Sequence, residues 1–282
     1  MAYKYIIYEP GKVARIKLNR PAYKNALSYV LMEELDDAFK RADSDDSVEV
    51  IVLSGEGSDF SAGHDLGSPE SVAEAKERGW DKDARSSFYA DKYHRHDIRF
   101  GWRNLAKPTI AMVQGWCVYG AYMTATAMDL IFASEDAKFV PSPTHQFQTL
   151  PWDMPICKAK EIVFEHRVVP AREARDLGLV NRIYPRKTLE KETLAYANRV
   201  AENLRDRVRG AKLAFNQAQD TMGFTTSAVA AYHMNQIYRG FGFGSEEAQE
   251  MGIRGATPRE RRLGRPSTAL ENLKIKEETE LK

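Results

Sequence analysis

Apolar and polar residues alternate through "YKYIIYEPGKVARIKLN", and "EPGK" interrupts the alternation midway. That pattern predicts a hairpin from about Lys4 to Asn19. "NRPAYKNALS" follows as a loop carrying Pro21. Ser28 then stands as N-cap to the helix "YVLMEELDDAFKRADSD", whose apolar positions recur at helical spacing. "VEVIVLSG" is apolar on both faces and reads as a buried strand. From Ser68 to Asn104 the chain turns polar and charged with an irregular helical period, which predicts a mobile flap of one or two helices. "KPTIAMVQGWCV" is a further strand, "YGAYMTATAMD" a buried helix opening at a glycine, and "LIFASEDAKFV" two more short strands. "ICKAKEIVFEH" is amphipathic, "PAREARDLGLVNRIYP" is a short helix and a strand, and helix dominates from Thr188 to about Gly240. The glycine-rich "GFGFGSEEAQEMGIRGATPRERR" breaks that run, and the tail after it reads as solvent-exposed. No internal repeat is visible. Strands broken by helices, then helices alone, predict a mixed α/β core with parallel strands and a helical C-terminal part.

Composition narrows the function classes. The 282 residues suffice for a sizeable core, at 43% hydrophobic. With 41 basic and 40 acidic residues the formal charge is +1, so no global field favours nucleic acid or an anionic membrane. Two cysteines, Cys117 and Cys157, make no disulfide framework, and a reduced, cytoplasmic protein is the simpler reading. No spacing resembles a zinc site, no run of about 18 apolar residues could span a membrane, and the first residues carry no secretory pattern.

Two strand-to-loop transitions share a design. "VIVLSGEGSDFSAGHD" ends in small residues followed by His64 and Asp65, and "TIAMVQGWCVYGA" ends in a glycine that opens a helix. Small residues admit close approach of a ligand or another backbone. Backbone N–H groups at such places lack partners, and two aimed at one spot can hold a carbonyl oxygen as it becomes an anion.

"NRPAYKNALS", "FSAGHDL", "KPTIAMVQGWCVYGA", "DLIFASEDAKF" and "ARDLGLVNRIYP" stand in the order and spacing of the crotonase (enoyl-CoA hydratase/isomerase) superfamily, which the chain resembles from about Ile6 to Pro185 and more weakly to Arg262. The resemblance implies a spiral of ββα turns followed by helices that trimerise, with two trimers often stacked as a hexamer. It divides the chain into residues 1–187, a core with an acyl-CoA site; 188–265, a helical oligomerisation region; and 266–282, an exposed tail. It implies an acyl-CoA substrate, enolate stabilisation, and no metal or redox cofactor, coenzyme A being part of the substrate. His64 and Gly120 would donate the two oxyanion-hole N–H groups. Lys24, Ala26, Ala62, Asp65 and Leu66 would line the coenzyme A channel, with Asp65 bracing its loop or capping a turn. The His64 imidazole either takes part or faces solvent. Arg259, Arg261 and Arg262 would suit a neighbouring subunit's coenzyme A phosphates.

The chain also departs from the pattern. Hydratases of this superfamily carry two glutamates; here Met123 stands at the first position and Pro143 or Thr144 at the second. "PTHQFQTLPWDMPICKAKE" offers His145 and Asp153 instead. Asp153 reads equally as a proton carrier or as an N-cap, and His145 as a carrier or a surface residue. Tyr119 and Tyr122 flank Gly120, where a phenol can donate a hydrogen bond or simply pack. Trp80, Phe88, Tyr89, Tyr93, Phe100 and Trp102 make the flap aromatic, which fits a bulky acyl group or packing of the flap itself. A hydratase-type lyase on a non-standard acyl-CoA is the first expectation. Decarboxylase, isomerase, C–C bond hydrolase and thioester hydrolase chemistry follow, and a silent acyl-CoA-binding paralogue is the alternative of a different class.

Overall fold

The computed structural model describes residues 3–142 and 146–242. Its first hairpin pairs β1 (Ile6–Glu9) with β2 (Val13–Leu18) antiparallel, as the alternation requires. After a 3₁₀ turn at Pro21–Tyr23, α1 (Tyr29–Ser44) begins with the Ser28 side chain accepting from the Leu31 N–H at 3.2 Å. β3 (Val50–Gly55) then runs parallel to β2.

The flap holds α2 (Pro69–Glu77), α3 (Ala84–Lys92), a π turn (Tyr93–Asp97) and α4 (Ile98–Arg103). The π turn accounts for the irregular period read from the sequence, since it shifts every later residue round the axis. The flap is also less peripheral than its polar sequence suggests. Ile98, Arg99 and Trp102 are buried, and Trp102 packs on Phe39 and donates to Asp36.

Next come β4 (Thr109–Val113), β5 (Trp116–Val118), α5 (Gly120–Ala125), β6 (Leu130–Ser134) and β7 (Lys138–Val140). β4 and β6 are each followed by a short strand, β5 and β7, that leaves the sheet, and after β3 a single bridge from Ser61 to Cys117 takes that place. The large sheet has the order β1-β2-β3-β4-β6-β9, with all pairs after the first parallel, and the small sheet has the order β5-β7-β8. This stepping between two sheets, a helix at each turn, is the ββα spiral. The remaining elements are α6 (Leu150–Asp153), α7 (Ile156–Glu165), β8 (Val169–Pro170), α8 (Ala171–Asp176), β9 (Arg182–Tyr184), α9 (Leu189–Ala201), α10 (Arg205–Thr221) and α11 (Phe224–Gly242).

The parallel strands are apolar on both faces because both faces are covered. Ile51, Leu53, Ala111, Val113, Ile131 and Ala133 join the main core with α1 and α5. The alternate residues Val50, Val52, Ile110, Met112 and Phe132 pack under Leu189, Ala197 and Ala201 of α9.

The loop between the hairpin and α1 is anchored by one side chain. Asn25 is fully buried at φ 55, and its amide donates to the carbonyls of Glu56, Asp59 and Phe60 at 2.9, 3.0 and 3.2 Å. Its Oδ1 accepts from the Arg20 N–H. Asn25→Ala strands these groups and leaves a Cβ residue at positive φ. We expect a loss of at least about 2 kcal/mol. It should be read as a lower urea midpoint at unchanged slope.

Candidate active site

The segment after β3 is wedged between β5 and the loop before α1. Ser61 donates to the Trp116 carbonyl at 3.0 Å and accepts from the Val118 N–H, while Ala62 donates to the Lys24 carbonyl at 2.8 Å. Leu27 and His64 form a parallel bridge through Leu27 N–H to Gly63 O and Asp65 N–H to Leu27 O. In such a bridge the N–H of His64 itself is not used, and it points to the opposite side of the strand.

The small residues are required by contact with β5. Gly63 has φ 88, and a Cβ there would lie 2.4 Å from the Val118 carbonyl oxygen and 3.3 Å from the Gly120 nitrogen. Position 120 is equally tight: a Cβ on Gly120 would lie 2.7–2.9 Å from three atoms of the His64 ring. The imidazole is therefore half-buried against the Gly120 Cα rather than turned to solvent. Gly120 opens α5, so its N–H belongs to the first turn and has no intrahelical acceptor; the first helical bond is Met123 N–H to Tyr119 O. The fold thus brings the backbones of residues 64 and 120 together. Two donors so arranged can polarise a carbonyl bond.

Asp65 is a brace. Its carboxylate accepts from Arg20 at 2.8 Å, from the Ser68 hydroxyl at 2.6 Å, and from the N–H groups of Ser68 and Gly67. Burial works against its ionisation, but the bonds from Ser68, Arg20 and Gly67 outweigh it and hold the carboxyl below its ordinary value. Arg20 also donates to the Ala26 carbonyl. Arg20 escapes sequence reasoning because 45 residues separate it from Asp65; its place beside Pro21 in "NRPAYKNAL" is the only local signal. Lys24, Ala26 and Ala62 are half-buried beside this brace, and Leu66 is 48% exposed.

The other candidates separate. The Tyr119 phenol bonds to Nε2 of His166 at 2.8 Å, and burial pushes its pKa up to about 12. Tyr119 itself sits at φ 45, an unusual backbone for a side chain of that size. Asp153 does not cap α7, whose N-cap is Pro155 with no side-chain bond. Its carboxylate accepts from Tyr122 at 2.9 Å and Thr149 at 2.6 Å. Burial pushes its pKa up to about 6, and those two bonds only partly offset this. Asp153, Thr149 and Thr126 line a groove of about 940 Å³ under α10, and none of His64, Tyr119 and Gly120 lines it. Met123 is buried, and its Sδ accepts from the Phe147 N–H at 3.2 Å. Pro143, Thr144 and His145 lie outside the described residues, as do Arg259, Arg261 and Arg262. The flap aromatics find partners in the fold: Trp80 on Tyr29 and His94, Phe88 on Tyr232, Phe100 on Phe147 and Phe224. Among the described residues no group of three His, Cys, Asp or Glu side chains could hold a metal ion.

The family model for enoyl-CoA hydratase/isomerase matches residues 9–239. The chain belongs to that family. A probable enoyl-CoA hydratase from Mycobacterium thermoresistibile is 35% identical with a TM-score of 0.77, over 90% of this chain and 98% of that one. An enoyl-CoA hydratase/isomerase from Xanthobacter autotrophicus Py2 is 32% identical with a TM-score of 0.75, over 94% and 100%. A hydroxycinnamoyl-CoA hydratase-lyase of Pseudomonas fluorescens is 30% identical over 74% of this chain and 76% of its own length. The ββα spiral expected from the resemblance is the fold of these family members.

Asp65→Asn leaves the Arg20 cation buried without its anion. Removing one member of such a pair costs about 3–5 kcal/mol, to be measured by urea unfolding at pH 7. The Asp65 pKa is lowered in the fold. Its contribution is therefore complete above the unfolded value near 3.9 and is lost as pH falls through the lower folded value. The gap between the two proteins should close in that acid range.

Proposed function

We propose that this chain is an acyl-CoA enzyme that stabilises a thioester enolate between the backbone N–H groups of His64 and Gly120. The observation that carries the reading is the packing of His64 directly on Gly120 at the start of α5. Coenzyme A would run past Lys24, Ala26, Ala62 and Leu66, on the loop that Asp65 braces, with no metal or redox cofactor. Oxygen polarisation of this kind serves every reaction that passes through an enolate.

Hydratase-type lyase chemistry on a non-standard acyl-CoA is the first reading, supported by the relative whose name is hydroxycinnamoyl-CoA hydratase-lyase. The departure at Met123 bears on it. A buried thioether that accepts a backbone N–H cannot move a proton, so the usual carboxylate is missing from that wall. Two groups could serve instead. The His64 imidazole is already against the hole, whereas the Asp153 carboxyl, with a pKa of about 6, faces Tyr122, Thr149 and the groove under α10. Geometry therefore favours His64. Decarboxylation and isomerisation share the need for protonation of an enolate beside the hole.

A panel of enoyl-, aryl-enoyl- and carboxyacyl-CoAs, followed by mass spectrometry, tests the class. No turnover with retained binding would mean a silent paralogue. Crotonyl-CoA hydration should be slow, since each positioned acid or base is worth about 10²–10⁴-fold. On the best substrate, His64→Ala should lower turnover on that scale with little change in acyl-CoA affinity, and Asp153→Asn should keep most of it. The reverse result would move the proton to Asp153. Activity lost in EDTA and restored by zinc or magnesium would end the metal-free reading.

We also propose assembly as a homotrimer or hexamer. No residue of α10 is buried, and Leu213 and Phe215 on it and Met222 at its C-cap are 69–73% exposed. Phe215 and Met222 also line the groove that a neighbour would fill. Light scattering at micromolar concentration should give three or six subunits, and a monomer would rule this out. A cytoplasmic setting fits two unpaired cysteines, Cys117 buried and Cys157 exposed. No described helix is long and apolar enough to cross a membrane.

A further inference from the structure

Arg99, on α4 of the flap, is fully buried. Its guanidinium donates to four oxygens, all of them neutral. These are the carbonyls of His94 at 3.2 Å and Arg95 at 2.7 Å, the Gly120 carbonyl at 3.2 Å, and the Thr124 hydroxyl at 3.0 Å. Its Nε has no acceptor among the described residues. None of the ion pairs among the described residues includes Arg99. The carboxylate whose charge reaches it, Asp91, is occupied by Arg95 at 2.8 Å and by Gln236 at 3.0 Å. Burial lowers the Arg99 pKa to about 9, which leaves it a cation at neutral pH.

A guanidinium taken out of water with no anion beside it is strongly disfavoured. Here three backbone carbonyls partly offset that cost. Two are presented by the π turn, an element found often at functional positions. The third belongs to Gly120, the residue that opens α5, and Thr124 holds that same carbonyl at 3.0 Å. The fork of Arg99 therefore ties the flap to the first turn of α5. Its charge sits about one peptide unit behind the Gly120 N–H.

We propose that Arg99 is a positioning residue of the oxyanion site: it fixes the first turn of α5 from behind and adds positive potential where the substrate's carbonyl oxygen becomes negative. This rests on His64 and Gly120 being the donor pair. A charge roughly 10 Å from that oxygen, at an effective dielectric of about 20, is worth about tenfold in rate. A residue that only filled space would not carry that effect, because its replacement by an apolar side chain of similar length would leave the field at the hole unchanged.

The test reads the field directly. Butyryl-CoA labelled with ¹³C at the thioester carbonyl is bound to the protein, and the carbonyl stretch is measured by infrared difference spectroscopy. Wild type should lower the frequency relative to water. Arg99→Met should recover a third or more of that shift and lower kcat about tenfold on the best panel substrate, with KM unchanged. Arg99→Lys, which keeps charge and loses the fork, should retain most of both. A folded Arg99→Met protein with the full wild-type shift overturns the proposal. Should Arg99→Met not fold, Arg99→Gln, which keeps hydrogen-bond donors and loses the charge, takes its place: a shift reduced by a third or more supports the role of charge, and the full wild-type shift overturns it. Absence of any shift in wild type would instead remove the donor pair itself, and Arg99's role with it, before any variant is compared.

Discussion

The site depends on the approach of Gly63 to β5. At that point the backbone carbonyl of Val118 occupies the space where any Cβ would stand. Because the two strands meet so closely, the next residue is delivered against the start of α5, and the imidazole of His64 comes to rest on the Cα of Gly120. The residue after that reaches Arg20. A methyl group at position 63 would have to push the segment off β5, and φ 88 would oppose it besides. One missing atom thus sets the direction of the His64 N–H, the seat of its ring and the reach of Asp65.

Two buried arginines show how the same side chain takes opposite parts. Arg20 meets a carboxylate that the Ser68 hydroxyl and the N–H groups of Gly67 and Ser68 already favour in its ionised form. Its charge is cancelled within the loop, so what remains is rigidity. Among the described residues Arg99 meets only neutral oxygens, so its charge is not cancelled there and extends into the surrounding low-dielectric interior. Local neutralisation, more than burial, separates a brace from a source of field.

Much of the fold was legible in the sequence because its causes are local. Alternation gave away the hairpin, Ser28 caps its helix as its chemistry suggests, and unbroken apolar runs mark strands covered on both faces. The close approach of residues 63 and 64 to residue 120 was legible through small residues, since such packing leaves a compositional trace. What stayed hidden depends on pairs far apart in the chain. Arg20 with Asp65, Arg99 with Gly120 and Tyr122 with Asp153 carry no spacing that points from one to the other. The π turn was visible only as a defect in the period. Asp153 reads equally as a proton carrier or a cap in one dimension because "WDMP" precedes a helix, but its carboxylate is taken by Tyr122 and Thr149, and α7 is capped by Pro155 without it.

On the proposed reading, Met123 bears on the chemistry through the bond it already makes. Its sulfur accepts the Phe147 N–H inside the core, so that wall is both apolar and committed. A carboxylate placed there would have to displace this bond and be desolvated, which raises its pKa and leaves more of it protonated, and so unable to accept a proton, at neutral pH. Restoring a glutamate at that position would therefore not by itself restore water activation. The proton carrier of the proposed reading is therefore sought beside residue 120, where the fold packs the His64 imidazole.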